Sequence, residues 1–458
     1  MKKLYNRQRE LNALQTVSEQ IVDTKGQLSV MVGRRRVGKT RLLNEAFHQD
    51  NTPFLYLFIS RKSESALVAE FAEIIHSELG VKFFQPQTLR DIIEFLLDYT
   101  KQKPMTIILD EFQDIDIVNP ALFSDIQNLW DANKRDSMMH LVCCGSLYSM
   151  MTKIFKGKDE PLFNRDDRFF NIQPLQPSYL AEVMKDHDKF DAENMLRWWC
   201  LSGGLPKYLE WLTRLSAESD DRFEAVISEF SPLIKEGTHR LVEDFGSEHR
   251  IYFDILGAIS KGNTSRARIE NFLDMSVGVH LEKLDEVFDV ITKLRPISSK
   301  ENSRDIRYAI SDPFLNFWFR FIHANKSAVE MENYEYIRRY IERDFTVYSG
   351  LELASLFKAI LVESKQFGKI GGYWDAKGHN EIDIVAINDL DKTILIAEVK
   401  RQQKRYSEAK LIEKSHHLLK KLNLKGYDIE YRGFSLDNLV ETMSEYQASS
   451  TSLSPLSQ

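Results

Sequence analysis

The sequence of 458 residues contains only three cysteines, and they are poorly placed for chemistry. Cys143 and Cys144 are adjacent within an apolar run, and Cys200 stands alone, so the spacing of a disulfide framework or a zinc site is missing. Small, buried and reduced cysteines are typical of a reducing compartment. We therefore expect a cytoplasmic protein without structural disulfides.

Long apolar runs are also lacking. No run approaches the ~18–20 apolar residues that a helix needs to span a bilayer. The start, Met1-Lys2-Lys3, leads into polar residues rather than into the apolar core of a signal peptide. These features predict a protein with no membrane partner.

An excess of positive charge is missing as well. The 61 Lys and Arg residues against 68 Asp and Glu residues give a formal net charge of −7, which excludes a uniformly basic nucleic-acid coat. Hydrophobic residues (43%) and charged residues (28%) are at the level of ordinary globular proteins. The length predicts about three domains.

The order of predicted strands and helices indicates an α/β fold in the N-terminal part of the chain. Short apolar, β-branched runs alternate there with segments that carry apolar residues at helical spacing. Such alternation predicts a mostly parallel sheet. The predicted strands are 28–32, 54–59, 105–109 and 141–144, the helices between them are 39–47, 65–79 and 88–99, and 179–293 is predicted to be almost wholly helical.

A glycine-rich loop between the first strand and the following helix has the form G-x-x-x-x-G-K-T. Gly33 and Gly38 allow the backbone N–H groups and the helix N-terminus to wrap closely around phosphates. Lys39 would reach the β- and γ-phosphates and act in catalysis, and the Thr40 hydroxyl would bind Mg²⁺. The pattern predicts an ATP site formed by Gly33, Arg34, Arg35, Arg36, Val37, Gly38, Lys39, Thr40 and Arg41.

Polar residues follow two further predicted strands. Asp110 comes directly after 105–109 and is predicted to hold Mg²⁺, and Glu111 beside it to orient and polarise the attacking water. The strand 141–144 leads to Ser146. In ATPases with an extra strand between the two motif strands, a polar residue at this place contacts the γ-phosphate, and we assign Ser146 that sensor role, with a plain strand-end turn as the alternative.

These segments resemble the archaeal-type AAA+ ATPases, a branch close to the STAND ATPases. The resemblance implies ATP and Mg²⁺ as cofactors, Arg165 as a trans-acting or sensor arginine, and a lid motif at 203–206. From the residues alone, a solvated loop and a helix stop are the respective alternatives. The matching segments are NRQREL (6–11), GRRRVGKT (33–40), LDEFQ (109–113), CGS (144–146), PLFNRDDRFFNIQPL (161–175), GGLPKYL (203–209) and DPFLNFWFRF (312–321).

The middle of the chain has helix-turn-helix spacing. Helices are predicted at 252–260, 266–273 and 279–294, and 296–310 would supply a wing. The family resemblance also implies a winged helix here. Its second helix carries Arg266 and Arg268 as candidates for DNA contact, with solvated charge as the alternative. The aromatic segment 311–321 is predicted to be a buried core helix.

A second chemical constellation lies on a predicted β-hairpin at 381–399. On one strand Glu381 and Asp383 share a face, and on the other Glu398 and Lys400 share a face. A four-residue hairpin loop would set Asp383 opposite Glu398, near enough for both carboxylates to bind one divalent metal.

The spacing D-x14-E-x-K resembles the core of PD-(D/E)XK restriction-endonuclease-like domains. The resemblance implies that Asp383 and Glu398 bind Mg²⁺ and that catalytic Lys400 positions water or offsets charge during phosphodiester cleavage. Active members also use an upstream helix acid, where this chain has Ala354, so Glu352 or Glu363 would have to substitute. The alternative is a solvated strand face.

The charge around this hairpin is locally basic. Between Lys392 and Lys425, ten Lys or Arg residues and three Glu residues give a local net charge of +7. Any nucleic-acid contact is therefore expected there, with a lysine-rich solvated helix as the alternative. The candidate phosphate contacts are Lys400, Arg401, Lys404, Arg405, Lys414, Lys420 and Lys421.

Two functions follow from these patterns. The first is ATP hydrolysis coupled to a DNA-processing, nuclease-like domain, and the second is an ATP-gated regulatory or nucleic-acid-binding protein whose nuclease-like domain is inactive. The expected partners are ATP and DNA, and a homo-oligomer is compatible with the resemblance. The predicted organisation is a P-loop, AAA+-like ATPase domain (1–178), a helical lid (179–248), a winged helix (249–312), an α/β nuclease-like domain (313–445) and a disordered tail (446–458).

Overall fold

The computed structural model of the protein describes residues 3–48, 53–217, 223–300, 303–375, 380–422 and 424–452. The chain divides into two compact units, unit 1 (Met1–Gln173) and unit 2 (Pro174–Gln458). The division lies close to the predicted boundary at residue 178. The predicted lid, winged-helix and nuclease-like segments all fall in unit 2.

Unit 1 is an α/β structure whose described strands form one parallel sheet, as predicted. The strands are β1 (Gln27–Val32), β2 (Phe54–Phe58), β3 (Met105–Asp110), β4 (Met139–Gly145) and β5 (Arg168–Asn171). Their order is β2-β3-β4-β1-β5, and every pairing in it is parallel. The helices are α1 (Gln8–Thr24), α2 (Lys39–His48), α3 (Glu64–Leu79), α4 (Leu89–Tyr99), α5 (Ile115–Val118), α6 (Leu122–Asn133) and α7 (Tyr148–Lys156).

The central strands of unit 1 are continuously apolar because they are buried. All residues of β3 and β4 are buried, as expected for parallel strands inside a covered sheet. Cys143 and Cys144 on β4 are free thiols in this core. Cys200, in unit 2, is also a free and buried thiol. The expected extra strand is confirmed, since β4 lies between β1 and β3. The carboxyl ends of these three strands, where the predicted motifs begin, therefore lie side by side.

One histidine interrupts the apolar sheet. His140 on β4 is fully buried, and its ring contacts two hydroxyls, Nδ1 to Ser18 Oγ at 3.1 Å and Nε2 to Ser29 Oγ at 2.9 Å. Burial, helped by the positive charge of Arg168, lowers the pKa of His140 to about 3. The imidazole is therefore neutral in the folded protein except in strong acid.

We expect His140 to make unit 1 less stable as the pH falls. Below the ordinary histidine pKa of about 6.5, the unfolded chain binds a proton that the folded chain does not bind. Each pH unit between about 6.5 and 3 therefore removes about 1.4 kcal/mol from the free energy of unfolding. Urea unfolding at several pH values in this window measures the slope.

Two variants isolate this contribution. His140→Gln keeps a polar side chain in the sheet but cannot titrate, so its stability should depend less steeply on pH than that of the wild type. His76→Gln changes an exposed histidine and should keep the wild-type slope. Equal slopes in all three proteins would contradict the role given to His140.

Unit 2 begins with helices that lead into an antiparallel ribbon. Gly203 and Gly204 end one helix with positive φ angles of 53° and 78°, and Pro206 begins the next. The segment 203–206 is therefore a helix stop, one of the two sequence alternatives. The helices are α8 (Pro177–Lys185), α9 (Ala192–Ser202), α10 (Pro206–Leu215), α11 (Leu233–Phe245), α12 (His249–Ser260), α13 (Arg266–Leu273) and α14 (Gly278–Glu286), and the paired strands are β6 (Ile291–Leu294) and β7 (Arg307–Ile310).

The predicted helix 279–294 is wrong in its second half. α14 ends at Glu286, and 291–294 form strand β6, which pairs with β7. Asp289 has a left-handed backbone with φ of 54°, which ends the helical path. The ribbon therefore starts before Pro296 rather than after it.

The aromatic segment is buried, as predicted. It forms α15 (Pro313–Phe317) and a π-helical stretch, Trp318–Ile322. Asp312 accepts a hydrogen bond from the Phe314 N–H at 2.9 Å and pairs with Arg240 at 2.5 Å. This buried ion pair joins α11 to the start of α15.

The helices that follow are α16 (Lys326–Glu330) and α17 (Tyr334–Ser364). By length and composition alone, α17 could cross a membrane, which the sequence expectation did not anticipate. Half of its most apolar window is buried inside the protein, and core helices of globular proteins share these properties.

The C-terminal part of unit 2 is a mixed sheet. Its strands are β8 (Lys369–Trp374), β9 (Glu381–Asn388), β10 (Thr393–Val399) and β11 (Asp428–Phe434), in the order β11-β10-β9-β8. The predicted hairpin is confirmed, since β9 pairs antiparallel with both β8 and β10. α18 (Glu408–Leu422) connects β10 to the parallel strand β11, and α19 (Leu439–Ser452) follows.

The disordered tail predicted from residue 446 is wrong in its first part. α19 continues to Ser452, and its buried residues Met443 and Tyr446 anchor it. The polar residues after Tyr446 lack apolar periodicity, so the sequence pattern did not indicate a helix. Residues 453–458 lie outside the described residues.

Candidate functional site

The loop between β1 and α2 is the candidate phosphate site, and its glycines are sterically required. A Cβ on Gly33 would lie 2.6 Å from the Ile172 carbonyl oxygen, so a larger residue does not fit at the end of β1. Gly38 has φ of 93°, and Arg36 is also left-handed with φ of 71°. These conformations carry the chain into the N-terminus of α2, where free backbone N–H groups attract anions.

The basic residues of this loop face different ways. The buried Lys39 side chain donates from Nζ to the Gly33 carbonyl oxygen at 2.7 Å, so its ammonium lies within the loop. Arg41 donates to the Lys3 carbonyl oxygen at 3.2 Å, and its contact with nucleotide stays a prediction. Among the other predicted loop residues, Val37 is buried, Arg34 and Arg35 are half-buried, and Arg36 and Thr40 are exposed.

The two side chains assigned to Mg²⁺ come together with a tyrosine. Asp110 at the end of β3 accepts a 2.9 Å bond at Oδ1 from the Glu111 N–H, and its Oδ2 accepts from the Tyr56 hydroxyl of β2. The same hydroxyl is hydrogen-bonded to Thr40. Burial and the adjacent Asp110 raise the pKa of Tyr56, so the phenol remains a proton donor.

These oxygens fit a Mg²⁺·nucleotide complex. In such sites Mg²⁺ takes one or two protein oxygens and fills its remaining positions with substrate phosphates and water. Thr40 and Asp110 supply that number of hard oxygen donors, next to a loop built for phosphates. The residues present therefore fit the cofactors that the motifs imply.

Glu111 is held in a defined orientation. It has a left-handed backbone with φ of 52°, a strained conformation that is common at functional sites. Its Oε2 accepts bonds from Ser146 Oγ and from Gln113 Nε2, both at 2.7 Å. Burial alone would raise the pKa of Glu111, but the charge of Lys39 and these hydrogen bonds outweigh burial and lower it. The carboxylate is therefore ionised and able to accept a proton from water.

Arg165 is engaged elsewhere in unit 1. Its guanidinium donates to both oxygens of Asp131 on α6, at 2.7 Å to Oδ2, and to the carbonyl oxygens of Pro161 and Phe163. Held in this way, it makes no hydrogen bond to the phosphate-site residues that the structure describes. A sensor role within the same chain is therefore not supported, and the trans-acting role stays a prediction.

In the C-terminal sheet, the register agrees with the sequence expectation. The β9–β10 ladder reaches Ile384 opposite Ala397, so Asp383 and Glu398 come next in the same register. The Asp383 Oδ2 accepts a 2.7 Å hydrogen bond from the Val399 N–H. The two carboxylates are therefore neighbours at the end of the hairpin.

Lysines surround these carboxylates. The Glu398 Oε1 pairs with the Nζ of Lys400 at 2.7 Å and with the Nζ of Lys414 on α18 at 3.1 Å. Lys358 on α17 acts electrostatically on Asp383. We refer to Asp383, Glu398, Lys358, Lys400 and Lys414 as the carboxylate–lysine centre.

The carboxylate–lysine centre has no upstream helix acid. Glu352 accepts a bond from Asn316 Nδ2 at 2.7 Å, and Glu363 accepts from the Ser178 N–H at 3.2 Å, so both candidate substitutes have other partners. Within the described ranges, no three His, Cys, Asp or Glu side chains form a group that could hold a metal ion. The described donor set therefore lacks the third acid that the nuclease-like resemblance implies.

Comparison with known proteins identifies the N-terminal half. A family model described as an ATPase domain predominantly from Archaea matches residues 4–212. Residues 4–212 therefore resemble an archaeal-type ATPase domain. A second family, described as archaea bacterial proteins of unknown function, matches residues 318–412.

One curated relative and two solved structures are similar to this chain over most of its length. An uncharacterized protein of Methanocaldococcus jannaschii is 28% identical over 435 residues, which cover 92% of each chain. The Walker-type ATPase of Pyrococcus abyssi shares the fold with a TM-score of 0.52 and 18% identity, over 69% of this chain and 96% of that one. The Aeropyrum pernix ORC2 protein has a TM-score of 0.46 and 13% identity, over 72% of this chain and 96% of that one.

The sequence did not lead us to predict two residues that contact the acids of the candidate site. Gln113 follows Glu111 by two positions, and a polar side chain so close to two acids was an available signal. Tyr56 gave no such signal, since it lies on a different strand from Asp110. Only the pairing of β2 with β3 brings the two side chains together.

We expect Tyr56→Phe to lower the Mg²⁺ concentration that ATP turnover requires. The phenol occupies an Asp110 oxygen that the cation needs, and a hydrogen bond to a charged group contributes about 1 kcal/mol or more. Removing it should lower the Mg²⁺ concentration for half-maximal ATP turnover by about threefold to tenfold. A Mg²⁺ titration of the hydrolysis rate measures this.

The matched control is Tyr148→Phe, which removes a hydroxyl from a tyrosine that is 42% exposed. It should leave the Mg²⁺ titration at the wild-type position. A Tyr56→Phe protein that needs more Mg²⁺ than the wild type would show instead that Tyr56 helps Asp110 to bind the cation.

Proposed function

We propose that the protein is a Mg²⁺-dependent ATPase whose nucleotide state controls its hold on DNA. The observation that carries the ATPase part is the convergence of motif side chains at the carboxyl edge of one parallel sheet. These side chains come from the ends of two neighbouring strands, β3 and β4, and from the helix that follows β1. They are Lys39, Thr40, Asp110, Glu111 and Ser146.

Phosphate binding would use groups that the loop already presents. The N–H groups at the start of α2 bind phosphate oxygens, and Lys39 exchanges its bond to the Gly33 carbonyl for a stronger, charge-assisted bond to phosphate. Thr40 and Asp110 hold Mg²⁺, which neutralises phosphate charge when bound.

Hydrolysis would use Glu111 as the water-orienting base. Its carboxylate is ionised, and the hydrogen bonds from Ser146 and Gln113 fix its direction, so little reorganisation is needed when water is activated. We propose that Ser146, whose hydroxyl donates to Glu111, would also contact the γ-phosphate as a sensor residue.

We also propose that α12–β7 is a winged helix and that β8–β11, with α17 and α18, is a nuclease-like fold. Three helices followed by an antiparallel ribbon support the first assignment. The D-x14-E-x-K spacing on a hairpin, followed by a helix and a parallel strand, supports the second. The winged-helix segment is not our choice for DNA contact, because Arg266 pairs with Glu270 at 2.9 Å and α14 carries Glu282, Asp285 and Glu286.

DNA contact is proposed for the exposed lysine and arginine side chains of the C-terminal segment. Lys400 and Lys414 pair with Glu398, and Arg401 donates to Ser349 and Glu193, so these three are less available than the sequence predicted. The exposed lysine and arginine side chains can neutralise phosphates of the DNA backbone without breaking an ion pair. They are Lys404, Arg405, Lys410, Lys420 and Lys421.

Phosphodiester cleavage is the second candidate function, favoured by the register of Asp383 and Glu398. The missing third acid and the surrounding lysines weigh against it. We therefore propose binding without cleavage. Plasmid incubated with Mg²⁺ or Mn²⁺ should be cut no faster by the wild type than by Asp383→Ala, and cleavage that disappears in Asp383→Ala would establish the nuclease instead.

Fluorescence anisotropy with a labelled duplex oligonucleotide tests the coupling to DNA. With Mg²⁺, the full chain should bind the duplex with different affinities in ATP and in ADP, and Lys39→Ala should show no such difference. Lys420→Gln with Lys421→Gln should weaken binding and reduce the salt slope by about two, whereas Lys326→Gln, an exposed lysine outside the basic stretch, should not. Equal affinity in both nucleotides would contradict the proposal.

A further inference from the structure

A lysine lies near Asp383, one helical turn after the position where an acid is expected. Ala354 on α17 stands where an upstream acid is expected, and Lys358 follows one helical turn later on the same face. On the adjacent strand β8, a Cβ on Gly372 would lie 3.8 Å from the Lys358 Nζ and 3.3 Å from the Asp383 carbonyl oxygen. The Lys358 ammonium group therefore lies beside the strand that carries Asp383.

Positive charge exceeds negative charge in the carboxylate–lysine centre. Its two carboxylates face three ammonium groups. The neighbouring acid, Glu381, does not neutralise this excess positive charge, because it pairs with Arg307 at 2.7 Å. A divalent cation would have to enter against this surplus, whereas an oxyanion would be attracted by it.

The lysines also keep donors for a ligand. An ammonium group has three N–H donors, and Lys400 and Lys414 each pair with the same oxygen of Glu398. Their side chains are 36% and 31% exposed, so the remaining donors can reach a molecule arriving from solvent. The carboxylates thus hold the ammonium groups in place without using all of their hydrogen-bonding capacity.

We infer that the carboxylate–lysine centre binds a phosphate-type oxyanion and does so without a divalent cation. Lys358 is the residue that excludes the cation, because it adds positive charge beside the strand that carries Asp383. The inference rests on the geometry of the centre and stands whether or not the protein hydrolyses ATP.

Calorimetric titration with Mn²⁺ tests the exclusion of the cation. The full chain carries Lys39→Ala and Asp110→Asn as a background, so that the ATPase domain contributes neither metal nor phosphate binding. In this background, further addition of Asp383→Asn should change nothing. A Mn²⁺ signal that Asp383→Asn abolishes would overturn the inference.

Replacing Lys358 gives the opposite test in the same background. Lys358→Glu adds a third carboxylate and should create a Mn²⁺ site, whereas Lys358→Met removes the charge without adding an oxygen and should bind Mn²⁺ much more weakly. If Lys358→Glu binds no better than Lys358→Met, Lys358 is not the excluding residue. If circular dichroism shows that Lys358→Glu does not fold, the comparison with Asp383→Asn still tests whether the centre excludes the cation.

Two probes in EDTA test oxyanion binding and its source. A labelled duplex oligonucleotide presents phosphodiesters, and inorganic phosphate presents the free ion. Lys358→Met with Lys400→Met should weaken one of them by about tenfold or more, since each lost charged contact costs about 1 kcal/mol. Weaker duplex binding identifies phosphodiesters, and weaker phosphate binding identifies the free ion. No change for either probe would overturn the inference.

Discussion

Lys39→Ala should leave the protein without measurable ATP turnover. The Lys39 Nζ lies within the phosphate loop, 2.7 Å from the Gly33 carbonyl oxygen, and we propose that it contacts the β- and γ-phosphates of ATP. Its loss removes charge-assisted bonds to substrate and reduces the negative charge that the site can stabilise. Removal of one such group costs about 10²–10³-fold in rate, and weaker ATP binding adds to this loss. Phosphate release at saturating Mg²⁺ measures the effect.

The control for this variant is Lys158→Ala, which removes an exposed lysine from the same unit. It should turn over ATP at the wild-type rate. Lys39→Arg keeps the charge but not the compact ammonium, and a planar guanidinium does not fit the same space, so it should also be strongly impaired. Wild-type hydrolysis in Lys39→Ala would refute the site assignment.

Glu111→Gln should separate ATP binding from hydrolysis. Glutamine preserves the size of the side chain but cannot take a proton from water, and general-base catalysis contributes about 10²–10⁴-fold. We therefore expect turnover to fall by that factor, while nucleotide affinity stays near the wild-type value. Phosphate release and equilibrium binding of a fluorescent ATP analogue measure the two quantities independently.

Asp116→Asn is the matched control for Glu111→Gln, since it makes the same acid-to-amide change at an exposed position five residues further along the chain. It should affect neither turnover nor binding. A Glu111→Gln protein that keeps most of its turnover would mean that another group activates the water, and Asp110 would then be the next residue to test.

The ATPase domain was predictable because its motifs are local in sequence. The glycine loop, the acids after β3 and Ser146 after β4 are each defined by a strand and the residues that follow it, and a parallel sheet brings such ends together. The contacts of Tyr56 depend on the pairing of β2 with β3, which no local pattern encodes. The hydrogen bonds from Arg165 to Asp131 are also a long-range contact, so motif resemblance alone could not show them.

In the C-terminal domain, too, the local features were predictable from the sequence and the long-range contacts were not. Alternation and loop length predicted the hairpin and the opposition of Asp383 and Glu398, because strand register follows from local geometry. Lys358 lies on a helix that precedes the hairpin, and it reaches Asp383 only because α17 packs against the C-terminal sheet. Its effect on the chemistry of the centre was therefore invisible in the sequence. The turn at Asp289 was missed because a single left-handed residue ended a helix whose apolar pattern continued into a strand.

The most direct measurement for the central claim is steady-state phosphate release by the purified wild-type protein from ATP, with Mg²⁺ and with EDTA, in the presence and absence of duplex DNA. We expect release that requires Mg²⁺, stops in EDTA and changes in rate when DNA is added. Absence of release under all four conditions, or release that persists in EDTA, would contradict the assignment of this chain as a Mg²⁺-dependent ATPase.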